Sequence, residues 1–276
     1  MKDVLTEYDT KVYERLREHR QAAIEHYPNH DWFVICVQGS QNYGMADENS
    51  DVDSKMLLIP TLEELVLNKP AISHTLILEN EEHVDCKDIR DYFKIIRKQN
   101  INFMEIFFTD YFIVNPKYSD LWYDILANRE DIAQSNIYRF LKCIKGMAHE
   151  KQHALCHEYP SKMDIIMKYG YDGKQLSHAI RILDFAKRYV LGNESYKDCL
   201  TPRNVKCLKN LKRNNAGISK TEAIEWMEDT VNEVDFFEAQ QNKYRKDVID
   251  PEVDEFLNNV LYKIIVRSLK ERLEYV

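Results

Sequence analysis

Two apolar runs on either side of a polar loop constrain the N-terminal half of this chain more than any other feature. Trp32-Phe-Val-Ile-Cys-Val37 is a continuous apolar segment of strand length, which predicts a buried strand. The loop Gln38 to Ser50 follows. Asp51-Val-Asp-Ser-Lys-Met-Leu-Leu-Ile59 then reads as a second strand, its polar end beside the loop and its apolar end buried. Short strands are expected again over 74–78 and 82–87. Around them, Val4, Tyr8, Val12, Leu16 and Ile24 recur at helical spacing up to Pro28. Thr61-Leu-Glu-Glu is a capping box, and Asp88 is an N-cap for a helix through Ile89, Phe93 and Ile96. The Phe- and Ile-rich run 101–114 reads as a short helix over 102–108 and an edge segment ending at Pro116.

Past residue 120 the helical pattern is almost unbroken. Helices are expected over 120–128, 136–157, 162–169, 173–191, 202–214, 220–244 and 251–275, with Pro202 and Pro251 in first turns and Gly217 at a break. Seven glycines and seven prolines in 276 residues leave few tight turns, which favours helix. The fold class is therefore α+β: an α/β domain with a small mixed sheet over 1–120, then an all-helical domain over 121–276. A formal net charge of -8 argues against a chain that coats nucleic acid through its overall charge. No apolar run approaches the roughly 20 residues of a membrane-spanning helix. The N-terminus is charged throughout, unlike a signal peptide. Six scattered cysteines without a CxxC pair argue against a disulfide scaffold or a Cys-rich zinc site. Together these features predict a reduced, cytoplasmic protein with no membrane partner.

The chemistry concentrates at Gly39-Ser40, ten residues, then Asp51-Val52-Asp53. Strand side chains alternate, so Asp51 and Asp53 are expected on one face. Adjacent carboxylates repel, and a divalent cation with oxygen ligands relieves that repulsion. The Gly-Ser turn offers N–H groups, a hydroxyl and room for a phosphate. Lys55 is expected on the same face, offsetting carboxylate charge or touching phosphate. On the residues alone, a solvated acidic strand end is the competing reading.

The stretch VQGSQNYGMADENSDVDSKMLLIP resembles the signature of the polymerase-β-like nucleotidyltransferase superfamily, in which an apolar strand ends in Gly-Ser and the next begins Asp-x-Asp. Tyr43-Gly44, and Ser50 before Asp51, are similar to a branch found in bacteria and phages. The resemblance implies a third acid on a neighbouring strand. Asp85 is the choice, with Val84 and Cys86 then buried on the opposite face; Asp88, the alternative, is better explained as a helix cap. IRDYFKIIRKQNINFMEIFF is also similar to the branch and places Glu105 at its Glu, with no role assigned. In the helical half, GYDGKQLSHAIR resembles a Gly-Tyr-Asp-x-Lys-x-x-x-His-x-x-Arg stretch of the same branch. There Asp172 would cap a helix, Lys174, His178 and Arg181 would share one stripe suited to a triphosphate, and Leu176, Ile180 and Leu183 would form the apolar face. The two resemblances span about residues 30–190.

The resemblance implies an enzyme, a metal-dependent nucleotidyltransferase. Asp51, Asp53 and Asp85 would hold Mg²⁺ or Mn²⁺. Gly39, Ser40, Lys55, Lys174, His178 and Arg181 would bind a nucleoside triphosphate such as ATP, in a cleft closed by the helical domain. The acceptor would be a hydroxyl on an RNA end, a protein or a small molecule. The alternative is an inactive nucleotide- or RNA-binding regulator on the same fold. His149-Glu-Lys-Gln-His153 matches H-E-x-x-H, but Tyr159 stands where a metzincin places its third ligand and Cys156 where it places glycine. It reads as ordinary helix surface. Two basic sets at helical spacing, Arg139, Lys142 and Lys145, and Lys206, Lys209, Lys212 and Arg213, are solvated faces or guides for an RNA acceptor.

Overall fold

The structure, a computed structural model, describes residues 6–47, 50–192 and 194–273. In chain order the elements are α1 (Glu7–His26), β1 (Asp31–Gln38), β2 (Asp53–Ile59), α2 (Leu62–Val66), β3 (Ser73–Ile77), β4 (His83–Asp88), α3 (Ile89–Arg97), α4 (Ile101–Met104) and β5 (Phe112–Val114). There follow α5 (Ser119–Ala127), α6 (Arg129–Gln134), α7 (Ile137–Ala154), α8 (Met163–Tyr169), α9 (Gly173–Leu191), α10 (Tyr196–Leu200), α11 (Val205–Lys212), α12 (Lys220–Asn242) and α13 (Pro251–Leu273). The α+β class is as expected. The compact units divide differently from a boundary at 120. One holds residues up to 42, 46–135 and 249–276; the other holds Tyr43–Met45 and Asn136–Val248.

In the first unit a five-stranded mixed sheet runs in the order β3-β4-β2-β1-β5. Only the β2–β4 pair is parallel; the others are antiparallel. One face, carrying Ile35, Val37, Met56, Leu58, Val84 and Cys86, packs on Val12, Leu16 and Ala23 of α1. The opposite face carries Cys36, Lys55 and Asp85, which lie side by side across β1, β2 and β4. α3 and α13 pack against β2, and Leu257, Val260 and Ile264 of α13 are buried. Arg97 of α3 ties down α13 through Asp254 (2.6 Å) and Asn258 (2.8 Å), which makes the last helix part of the sheet unit.

The strand expected from residue 51 begins at Asp53, and Asp51 lies ahead of it. The capping box at Thr61, the Asp88 cap and the short edge strand β5 form as read, and the helix expected over 102–108 forms as helical turns over 101–107, one residue earlier. Of the first helix's apolar positions, Val4 lies outside the described residues.

In the second unit α7, α9 and α12 pack on one another, with α11 against α9. The core is rich in rings: Phe140, Phe185, Tyr189 and Tyr196 meet at centroid separations of 4.8–5.7 Å. α9 spans the residues expected, with Asp172 accepting from the Lys174 N–H at 2.9 Å. Pro202 is not in a first turn. The short helix α10 ends at Leu200, and α11 begins only at Val205. Ile180 is half-buried, while Leu176, Ile182 and Phe185 are fully enclosed.

Leu16 has no exposed surface in the α1–sheet core. Leu16→Ala should cost about 2–5 kcal/mol, the usual range for a buried leucine truncation. The measurement is urea unfolding; a shift under half a kcal/mol would mean that α1 does not seal this face.

Candidate active site

The loop and the acids meet because of strand register. Gln38, the last residue of β1, pairs with Asp53, the first of β2, so the Gly39-Ser40 turn leaves the sheet beside the acids. Gly39 has φ +79°, left-handed backbone that glycine adopts freely. The Asn42 amide donates to the Val37 carbonyl at 3.0 Å and Asn42 Oδ1 accepts from Thr109 Oγ1 at 2.6 Å, which folds the loop back on its strand. Glu105, buried behind the turn, accepts the Gly39 N–H at 3.0 Å. The Gly39 N–H expected to cradle phosphate is thus already bonded, and Glu105 has a role that its place in the sequence did not reveal. The Ser40 hydroxyl has no hydrogen-bond partner among the described residues.

Asp51 is exposed; its carbonyl accepts from Gln41 Nε2 at 3.3 Å. Asp53 is 41% exposed in its side chain. Its Oδ1 accepts the His83 N–H at 3.2 Å and lies 3.1 Å from His83 Nδ1. Its Oδ2 and the Asp51 carboxylate have no partners among the described residues. Between them Val52 is buried in the α1-covered core, which anchors the short acidic segment from behind.

Sequence reasoning missed what holds that anchor. Glu82 Oε1 accepts the Val52 N–H at 3.0 Å, while Oε2 accepts from Arg15 at 2.7 Å and from His19 Nε2 at 2.9 Å. His19 is wholly enclosed, and its Nδ1 is 2.9 Å from Ser54 Oγ. A carboxylate only accepts, so Nε2 carries the ring proton and Nδ1 accepts from the serine. Burial pulls the His19 imidazole below its ordinary range despite Glu82 beside it. Burial pushes the Glu82 carboxyl up, but the bonds from Arg15, Val52 and His19 outweigh it and leave it below the usual carboxylate range. Glu82 and His83 are adjacent, so one pair of residues holds both Val52 and Asp53.

Asp85 is on the face expected, with Val84 and Cys86 buried on the other side. Its carboxylate, however, is paired with Lys55 and lies 3.4 Å from Lys87. Lys55 is 2% exposed, with its ammonium 4.1 Å from the centre of the Phe103 ring. Of the two roles open to Lys55, the structure places it in charge offset, away from any dissolved phosphate. Asp85 is correspondingly not an open third ligand. Asp88 is not one either: it caps α3 and accepts from Arg90 at 2.6 Å. Among the described residues no group of three His, Cys, Asp or Glu is arranged to hold a metal. The donors that fit a hard cation are Asp51 and Asp53, and Mg²⁺ commonly takes one or two carboxylates and completes its shell with water and phosphate.

In the helical unit, Lys174 is exposed, whereas Arg181 is buried. Arg181 donates to His178 Nε2 at 2.6 Å and stacks 3.7 Å from the centre of the Tyr43 ring. Burial, then the nearby Arg181, hold the His178 imidazole well below its ordinary range, so it is a neutral acceptor. The expected stripe therefore runs from solvent at Lys174 into the interior at Arg181.

The second basic stripe is neutralised. Arg139 pairs with Asp247 (2.5 Å), Lys142 with Glu238 (2.7 Å), and Lys145 with Asp235 (3.3 Å), all within this unit. His149 of H-E-x-x-H joins the same ladder through Asp235 at 2.9 Å, and His153 stacks on His157 at 5.2 Å. The Lys142, Lys145 and His149 pairs join α7 to α12, while Asp247 lies just beyond the end of α12.

No protein-family model matches the chain, and no curated protein matches it.

The Glu82 junction predicts a pH dependence. In the folded chain His19 stays neutral below pH 6.5, where the unfolded chain takes up a proton, so stability should fall as pH drops through that value. Glu82 adds the same sign below 4.5. Urea midpoints at pH 7.5 and 5.5 should differ in the native chain, and the difference should shrink in His19→Gln, with His178, also held below its ordinary range, carrying part of the remainder; a difference unchanged by His19→Gln refutes the assignment. Glu82→Gln should cost about 1–3 kcal/mol at neutral pH, since Arg15 can partly recover water while His19 and Val52 cannot. His149→Ala with His153→Ala should cost at most about 1 kcal/mol, as expected for exposed pairs, and should leave metal content unchanged by elemental analysis.

Proposed function

We propose that the chain is a metal-dependent nucleotidyltransferase whose chemistry sits at the acidic end of β2. The observation that carries this reading is the register that sets Asp53 opposite Gln38, so that Gly39-Ser40 and Asp51-Val52-Asp53 converge at one end of two paired strands. It fits the resemblance of that stretch to the polymerase-β-like superfamily. Asp51 and Asp53 would hold Mg²⁺ or Mn²⁺, which when bound neutralises charge on the donor phosphates. Ser40 Oγ donates to a phosphate oxygen. Glu105 keeps the glycine turn in its left-handed form, and Glu82 and His83 keep the acids in place. An acceptor hydroxyl attacks the α-phosphorus of a nucleoside triphosphate and gives up its proton to solvent, the α–β phosphoanhydride bond breaks, and pyrophosphate leaves.

A second reading has its own support. The Lys55–Asp85 pair occupies the third acid, which suits a regulator that binds nucleotide without turning it over. Incubation with α-labelled nucleoside triphosphates, Mg²⁺ and cell extract separates the two. Transfer of label supports the transferase; saturable binding without transfer supports the regulator. Asp51→Asn with Asp53→Asn should abolish transfer, by at least about a thousandfold if the metal's electrostatic contribution is lost, while apo stability is unchanged or raised because like charges are removed. Transfer that persists in the double variant rules the site out.

A further inference from the structure

Between α11 and the first half of α12 the helical unit has an open pocket of about 590 Å³, within the size range of small-ligand sites. Trp226 of α12 lines it. At 43% exposed it is the most open of the three tryptophans, since Trp122 is fully buried and Trp32 half-buried. Around the indole stand Arg203, Asn204, Lys206 and Asn210, all exposed, and no Asp or Glu is among the lining residues. The pocket of comparable size in the sheet unit is lined instead by Asp131, Asp250 and Glu252, so its preference would be opposite. Arg203 is braced by Glu194 at 2.8 Å, which aims its guanidinium. Lys206 has no ion-pair partner among the described residues. The Asn204 side chain makes no capping bond to α11, which leaves its amide for a ligand and the first N–H groups of the helix uncapped at this end. An exposed aromatic ring, two cations and two amides on one concave surface match a flat, hydrogen-bonding base that carries a phosphate.

We propose that this pocket binds one nucleotide of a single-stranded nucleic acid, the base stacked on Trp226, its edge met by Asn204 or Asn210, and its phosphate met by Lys206 and Arg203. The proposal rests on no part of the transferase reading. It also shows how a chain with a net charge of -8 holds a polyanion, because the positive charge need only be local.

The test is tryptophan fluorescence with an eight-nucleotide single-stranded RNA, the corresponding nucleoside monophosphate and a poly-glutamate peptide, all in EDTA so that no metal site contributes. The RNA should quench emission saturably. Trp226→Ala should weaken binding, followed by anisotropy of labelled RNA, about 10- to 100-fold, as loss of one base stack does, and Trp226→Phe should restore most of it. Lys206→Ala should lower the salt slope of binding by about one. The monophosphate arm tells a strand from a free nucleotide: much tighter RNA binding supports the strand, whereas equal affinities overturn that part of the proposal. Asp51→Asn with Asp53→Asn should bind as the native chain does, so the two readings fail separately. Absence of RNA binding, unchanged binding by Trp226→Ala, or equal binding of poly-glutamate would overturn the proposal.

Discussion

A carboxylate that leaves water must be given partners, and that of Glu82 has three: Arg15, His19 and the Val52 N–H. The acidic end of β2 depends on this junction. Val52 is held both by its side chain in the α1-covered core and by its N–H on Glu82. His83, the next residue, holds Asp53. Asp51 and Asp53 therefore stay near water at a strand end that is fastened by bonds on its buried side. Two features of α1 matter here. Its apolar stripe packs on the sheet, and Arg15 and His19, four residues apart, reach the same carboxylate.

The opposite face follows the same rule with a different result. Lys55 and Asp85 face each other across the parallel β2–β4 pair, and covering them without a partner would leave a charge in a low-dielectric interior. Pairing them satisfies both and removes both from the set of open ligands. Glu105 does similar work for the Gly39 turn, taking the N–H of a residue whose left-handed backbone would otherwise be free to open. The polar groups around the acids are thus largely engaged with one another, and among the described residues those left with open valence include Asp51, one oxygen of Asp53 and the Ser40 hydroxyl. They are the groups on which chemistry at this end can draw.

In the helical unit, sequence spacing makes two basic stripes look alike, and packing makes them different. Lys142, Lys145 and His149 meet the acids of α12 and become an interhelical ladder, and Arg139 meets Asp247 just past the end of that helix. Lys206 meets no carboxylate among the described residues and borders a concave surface with an exposed indole. Charge in a helical sequence is a potential for attraction; whether it is spent internally or left for a ligand depends on the helix that packs beside it.

The sequence by itself determined the features that depend on neighbours within a turn or a strand: the limits of α9, the Thr61 capping box, the caps at Asp88 and Asp172, the buried strand after Trp32 and the inward side of Val84 and Cys86. These are set by alternation, helical periodicity and short-range hydrogen bonds, all local physics. Only the tertiary structure decided that β2 starts at Asp53, that α13 returns to the sheet unit, that Lys55 is buried against Asp85 and that His19 and Glu82 secure the acidic end. Those outcomes join residues 30, 63 or 157 positions apart. A buried charge takes whichever partner the fold brings within hydrogen-bond reach, and no local pattern encodes that choice.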